Sequence, residues 1–304
     1  MQKETIGTLA AVMTAIISGF SIFANKIFIV DLDATVFTAV RALIIGVAFF
    51  FIAYWKGDWG KKAGKAGKIN WKYLVAIGVI GGGLAFLLFF SGLQLTTSGR
   101  GAFLHKTLPL YTTVLAFVFL KEKVSQKQGI ALLAMLLGTL MLYMASIPAD
   151  KLWSAPQLGD SLVIIAAALW GVENVLAKKA MLNGSSNFVV SFGRMFIGAI
   201  FLFGVLVSFG NLGALLELSA AQAVNIAVST GLLFCYVFFY YWSVKLINVS
   251  KASSILLAAP IITLFIGSLV LGEPAPLLQL VGSGVILAGA AVMAKSRSEF
   301  REGV

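Results

Sequence analysis

An ionisable side chain inside a long apolar run is costly unless it pairs, meets water or is neutralised, so such residues mark where a chain of this kind could do chemistry. Glu173 stands well inside one apolar run. Three roles are open to it: binding a substrate ammonium, carrying a proton, or forming a fixed ion pair with Lys106, Arg194 or a nearby lysine. His105 and Lys106 interrupt a second run. A lone histidine on an apolar background is more often a packing residue than a ligand, whereas Lys106 is the stronger partner for a substrate carboxylate. Successive residues diverge by about 100° around a helix, so in one continuous helix these two are not expected both to face a cavity centre. Tyr236 and Tyr240 share a face at i, i+4 and each joins an apolar ring to a polar tip; a specificity surface and plain packing or lipid contact both fit them. Trp170, beside Gly171, is open in the same way. Asn174, with Asn25, Ser18, Ser21, Gln94 and Asn225, adds neutral hydrogen-bonding groups, some of which are expected to hold helices together.

Pro109 and Pro260 each lack an amide hydrogen and free the carbonyl four residues earlier, at His105 and Leu256. The expected consequence is a hinge beside a polar path, with a static packing kink as the alternative. Arg41 and Arg194 lie near the starts of their runs and are expected to snorkel to the headgroups. Glu122 and Glu273 follow their runs and are expected to fix loops. Glu173 is thus the one acid expected to be buried.

One histidine and one cysteine, Cys235, cannot build a histidine-rich metal site or an internal disulfide, and no Gly-rich phosphate loop is present. No cofactor, metal or direct nucleotide drive is therefore expected. The chain has 304 residues, 60% hydrophobic and only 12% charged, with a mean hydropathy of +0.97. A soluble domain carries roughly twice that charge. The net charge of +11 would suggest nucleic acid in a soluble protein. Here the charges sit between apolar runs, so membrane lipid, not nucleic acid, is the expected surrounding.

Ten runs are long and apolar enough to span a bilayer, at 7–25, 34–55, 71–95, 101–120, 129–146, 161–177, 188–209, 223–244, 252–271 and 277–294. The first is too long for a signal h-region and is expected to be retained. With no water in the bilayer core, runs of this length must satisfy their amides internally, which predicts an all-α integral membrane protein. Of the 23 Lys and Arg, 17 fall on the side of the N-terminus and three on the other, so both termini are expected in the cytoplasm. The expected location is a prokaryotic inner (plasma) membrane.

The chain also repeats itself. Gly7, Gly19, Lys26 and Gly46 recur 152 residues later as Gly159, Gly171, Lys178 and Gly198, and Pro109, Glu122 and Gly138 recur at an offset of 151 as Pro260, Glu273 and Gly289. The expected halves are 1–148 and 149–304. Five spans is an odd number, so the second half enters from the opposite face, an inverted repeat of the kind that supports alternating access. At these residues the sequence resembles the drug/metabolite transporter superfamily, specifically its EamA-type ten-helix members. The resemblance lies in Gly92 through Leu104, Leu108-Pro109 and Leu120-Lys121-Glu122 of half one, and in Ser243 through Ser253, Ala259-Pro260 and Leu271-Gly272-Glu273-Pro274 of half two. It implies that helices one to four and six to nine surround a central cavity, with five and ten peripheral. His105, Lys106 and Glu173 depart from the pattern of the family.

Together these readings predict a secondary transporter of a small organic metabolite, with an amino acid or similar zwitterionic or amphiphilic solute as one candidate and protons as a further partner. A channel or lipid scramblase is the alternative, and a membrane-embedded lipid enzyme a more distant one, for lack of a clustered nucleophile and base.

Overall fold

In the computed structural model, residues 2–28, 32–59, 69–145 and 157–300 are described. Lys61, Lys62, Lys65, Lys68, Ser146, Lys151, Arg301 and the expected boundary between halves at 148/149 lie outside them. Among the described residues ten helices are long and apolar enough to cross a membrane: α1 (Gln2–Phe28), α2 (Ala34–Trp55), α3 (Trp71–Gln94), α4 (Gly99–Phe119), α5 (Gln126–Met144), α6 (Leu158–Leu182), α7 (Asn187–Ser208), α8 (Ala220–Leu246), α9 (Val249–Leu271) and α10 (Leu277–Lys295). Several begin earlier than their apolar runs. α1 takes in Lys3 and Glu4, and α9 starts at Val249 rather than Ala252, where Glu122 accepts from the first amides, those of Val249 and Ser250. Ser125 and Ser219 close capping boxes at α5 and α8, and Asp33 accepts from the amides of Thr35 and Val36 at α2.

The burial pattern inverts that of a soluble protein. Leu133, Leu269 and Val114 are exposed, while Glu173, Thr139, Ser243 and Lys251 are buried. Large apolar side chains face lipid and polar ones face neighbouring helices, the arrangement expected where the solvent is hydrocarbon.

Packing partners come in matched sets. α1 packs on α8 and α9; α6, which follows it in the second half, packs on α3 and α4. α2 packs on α7, and α5 on α10. Two two-residue strands, β1 (Glu122–Lys123) and β2 (Glu299–Phe300), pair antiparallel where α4 ends and the chain leaves α10.

Four helices are broken at mid-length. α4 is interrupted by a turn at Lys106–Thr107, directly before Pro109, and α9 by a 3₁₀ turn at Leu256–Ala258, directly before Pro260. α3 widens into a π-helical segment over Gly78–Leu84 and α7 over Gly193–Ile197, and these two segments pack on each other. Such π-segments free carbonyls from the regular ladder and occur frequently at functional sites.

Candidate functional site

Between α1–α4 and α6–α9 lies a cavity of about 230 Å³. α6 supplies Trp170, Glu173 and Asn174, α8 supplies Tyr236 and Tyr240, and α4 supplies His105, Lys106 and Pro109. Pro260 is buried but does not line it. The break in α4 explains why adjacent residues 105 and 106 both reach the cavity, contrary to the expectation from a continuous helix: the turn at Lys106 resets the direction of its side chain.

Glu173 is fully buried. Its Oε1 accepts a very short hydrogen bond from the Tyr241 hydroxyl, and its Oε2 faces Arg194 Nη1 at 3.8 Å. Arg194 Nη1 also donates to the Tyr241 hydroxyl oxygen at 3.4 Å. Of the partners considered from sequence, Arg194 is thus the one met. This cluster depends on the glycines of α3. A Cβ at Gly81 would lie 2.1 Å from Glu173 Cγ, and one at Gly82 would lie 2.1 Å from the Arg194 carbonyl. The π-segment also leaves the Gly81 carbonyl free to accept from Trp170 Nε1 at 2.9 Å. Trp170, Phe89 and His105 then meet ring to ring at 4.9–5.4 Å, and Tyr236 stacks on Tyr240 at 5.8 Å.

Neither Arg41 nor Arg194 snorkels. Both are buried and line the cavity. Arg41 lies about 10 Å from the start of α2, too deep for its head to prefer the interface once neutral acceptors are nearer. It donates to the Phe37 carbonyl at 3.1 Å and to Ser229 Oγ at 2.8 Å, and Ser229 in turn donates to Asn25 Oδ1 at 2.6 Å. Tyr241 and Ser229 were not singled out from sequence. One tyrosine in a helix holding Phe234, Tyr236, Phe238, Phe239 and Tyr240 gives no local sign of a partner on α6.

Glu173 is not the sole buried acid. Asp160 is buried and pairs with Arg100 at 2.5 Å. Glu122 is fully buried as well, and its two oxygens accept from the amides of Val249 and Ser250 at 2.8 and 3.1 Å and from Ser250 Oγ at 2.6 Å. These bonds cap the N-terminus of α9. Burial outweighs them and the nearby Lys178 charge, and holds the Glu122 carboxyl above the usual range. Lys178, also buried, donates to the carbonyls of Val244 and Ile247 at 2.6 and 2.8 Å, at the C-terminus of α8. The face of the molecule holding this cluster also carries Glu4 and Ser298, joined at 2.9 Å, and is called the proximal face. At the opposite, distal face the repeat counterparts of Lys178 and Glu122, which are Lys26 and Glu273, are half-exposed and pair with each other at 2.6 Å.

Ten apolar helices, eight of which enclose a charged, ring-lined cavity, define an integral membrane protein with a solute-sized internal site. The chain belongs to the EamA-like transporter family, whose model matches twice, over residues 5–144 and 157–295. It is similar to the uncharacterized transporter YoaV of Bacillus subtilis (strain 168), with 27% identity over 92% of this chain and 94% of that one. An uncharacterized transporter of Archaeoglobus fulgidus is 26% identical over 76% of this chain and 81% of that one. A solved crystal structure superposes with a TM-score of 0.76 over 94% of this chain and 96% of that chain, at 16% identity, a likeness of fold. The protein is a membrane transporter.

Proposed function

We propose that this transporter carries a small organic solute by alternating access, with residues 1–148 and 149–304 as inverted halves that exchange roles. The observation that carries the reading is the unequal state of two repeat-related latches. At the proximal face Glu122 and Lys178 clasp the turn between α8 and α9 from both sides, one on the amides of Val249 and Ser250, the other on the carbonyls of Val244 and Ile247. Their counterparts at the distal face, Glu273 and Lys26, hold each other instead of the equivalent turn between α3 and α4. The equivalent groups there are the amides of Ser98 and Gly99 and the carbonyls of Leu93 and Thr96, by the offset of 151 that holds in this part of the chain. The Glu–Lys latch is made at one face and open at the other, while Asp160 ties Thr96 and Arg100 to α6 at the distal face as Glu4 ties Lys251 to α1 at the proximal one. The state of the latch is the difference that an alternating-access cycle must invert.

In this reading the proximal face is cytoplasmic, following the excess of Lys and Arg on that side, and the membrane is a prokaryotic plasma membrane. The breaks before Pro109 and Pro260 serve as the bending points, and Glu173 is the candidate for proton coupling. Saturable counterflow in proteoliposomes tests the carrier reading: unlabelled solute preloaded inside should drive accumulation of external labelled solute against its gradient. A flux that never saturates and shows no counterflow indicates a channel instead.

A further inference from the structure

We infer that the solute is a small organic carboxylate anion with an aromatic or bulky apolar body, its carboxylate held by Lys106 and Arg41. The inference rests on the transport reading above and names the substrate class of that same cavity. Among the described residues Glu173 is the one acid lining the cavity, and it is already engaged by Tyr241 and Arg194. Lys106 and Arg41 have no carboxylate within ion-pairing distance among those residues. The partners of Arg41 are the neutral Phe37 carbonyl and Ser229 hydroxyl. Arg41 is seven residues into α2 and Lys106 seven into α4, which places both about 10 Å in from the distal ends of their helices.

Two unpaired cations lining one cavity of a low-dielectric bundle are poorly solvated. A bound anion offsets that penalty, whereas an amine adds a further positive charge. A zwitterion brings an ammonium, and the one acid on this wall among the described residues, Glu173, already faces the Arg194 charge and the Tyr241 hydroxyl. The rest of the wall selects the body of the solute. Trp170, Phe86, Phe89 and His105 form a continuous ring surface, and Tyr236 and Tyr240 stack nearby. An inorganic anion would leave that surface unused.

The test uses the full-length protein and four probes of matched or minimal body: 3-phenylpropionate, phenylalanine, 2-phenylethylamine and inorganic phosphate. Binding is measured by calorimetry and by the fluorescence of the tryptophans, and counterflow in proteoliposomes. The expected result is that 3-phenylpropionate binds at least about tenfold more tightly than the other three, that Lys106→Gln weakens it roughly tenfold or more, and that Lys106→Arg keeps most of the affinity. Lys106→Met should also raise the thermal midpoint of the ligand-free protein, since an unpaired, half-buried charge is removed. Preference for the amine, the amino acid or phosphate, or no binding of 3-phenylpropionate, overturns the proposed class. These comparisons are made on the unaltered protein and do not depend on how any variant folds. Counterflow of the amine or amino acid would leave the carrier reading standing without the anion class. Carboxylate binding without counterflow would do the reverse.

Discussion

Glu173 and Arg194 occupy the same buried cluster, so removing either charge alone strands the other. Glu173→Gln should lower the yield of folded protein, and neutralising Arg194 in the same chain should restore part of it, whereas neutralising Lys106 should not. Breaking a buried pair costs about 3–5 kcal/mol, and removing both partners costs far less. Thermal midpoints of the two single and two double variants read this directly. Gly81→Ala should destabilise by about 1–3 kcal/mol, because the new methyl would meet Glu173 Cγ at 2.1 Å. Glu122 gives a pH dependence. Its folded-state pKa is raised, so its proton stabilises the fastened proximal face below the ordinary carboxylate range, and that contribution is lost as pH rises through the raised value. Acidification should therefore hold the proximal face closed, and Glu122→Gln should flatten the response in a pH series of hydrogen exchange at the Val249 and Ser250 amides.

At the scale of helices, the ten spans were legible because bilayer thickness alone demands runs of that length, and their ends shifted by up to five residues, some where caps such as Ser125 admit a polar first turn and some where the helix runs on past the apolar run, as α6 does to Leu182. Glu173, His105 and Lys106 were legible as polar interruptions of apolar runs. The burial of Arg41 and Arg194 was not, since an arginine two turns from a helix end reads the same whether it points outward to headgroups or inward to Ser229 or Glu173. Nor was the latch at Glu122, whose partners Val249 and Ser250 lie 127 and 128 residues away. The Gly81-Gly82-Gly83 run carries no local sign that α6 and α7 both close on it. The prolines supply the prediction proper to this scale. In α4 and α9 the helix is already broken before Pro109 and Pro260, so ground-state contacts survive their replacement while bending stiffens. Pro109→Ala with Pro260→Ala should slow solute turnover and leave binding affinity within about twofold. Unchanged turnover would reduce both breaks to static kinks.

Across the whole molecule, the two faces are proposed to be fastened alternately by repeat-related groups. Cys235 is the single native cysteine, so in a Cys235→Ser background one cysteine can report on each side of the cavity. Ile22 and Ser253 both line it, Ile22 in the distal half of α1 and Ser253 one turn above the latched start of α9. The decisive measurement is the rate of labelling of Ile22→Cys from the distal face and of Ser253→Cys from the proximal face, in oriented vesicles, with and without latch substitutions. Glu122→Ala removes three hydrogen bonds from the proximal latch and should accelerate labelling at position 253 roughly tenfold or more while slowing it at position 22. Glu273→Ala, which removes the group proposed to fasten the distal face, should shift both rates in the opposite direction. Rates at the two positions that rise together, or that ignore both substitutions, would contradict alternating access through these latches.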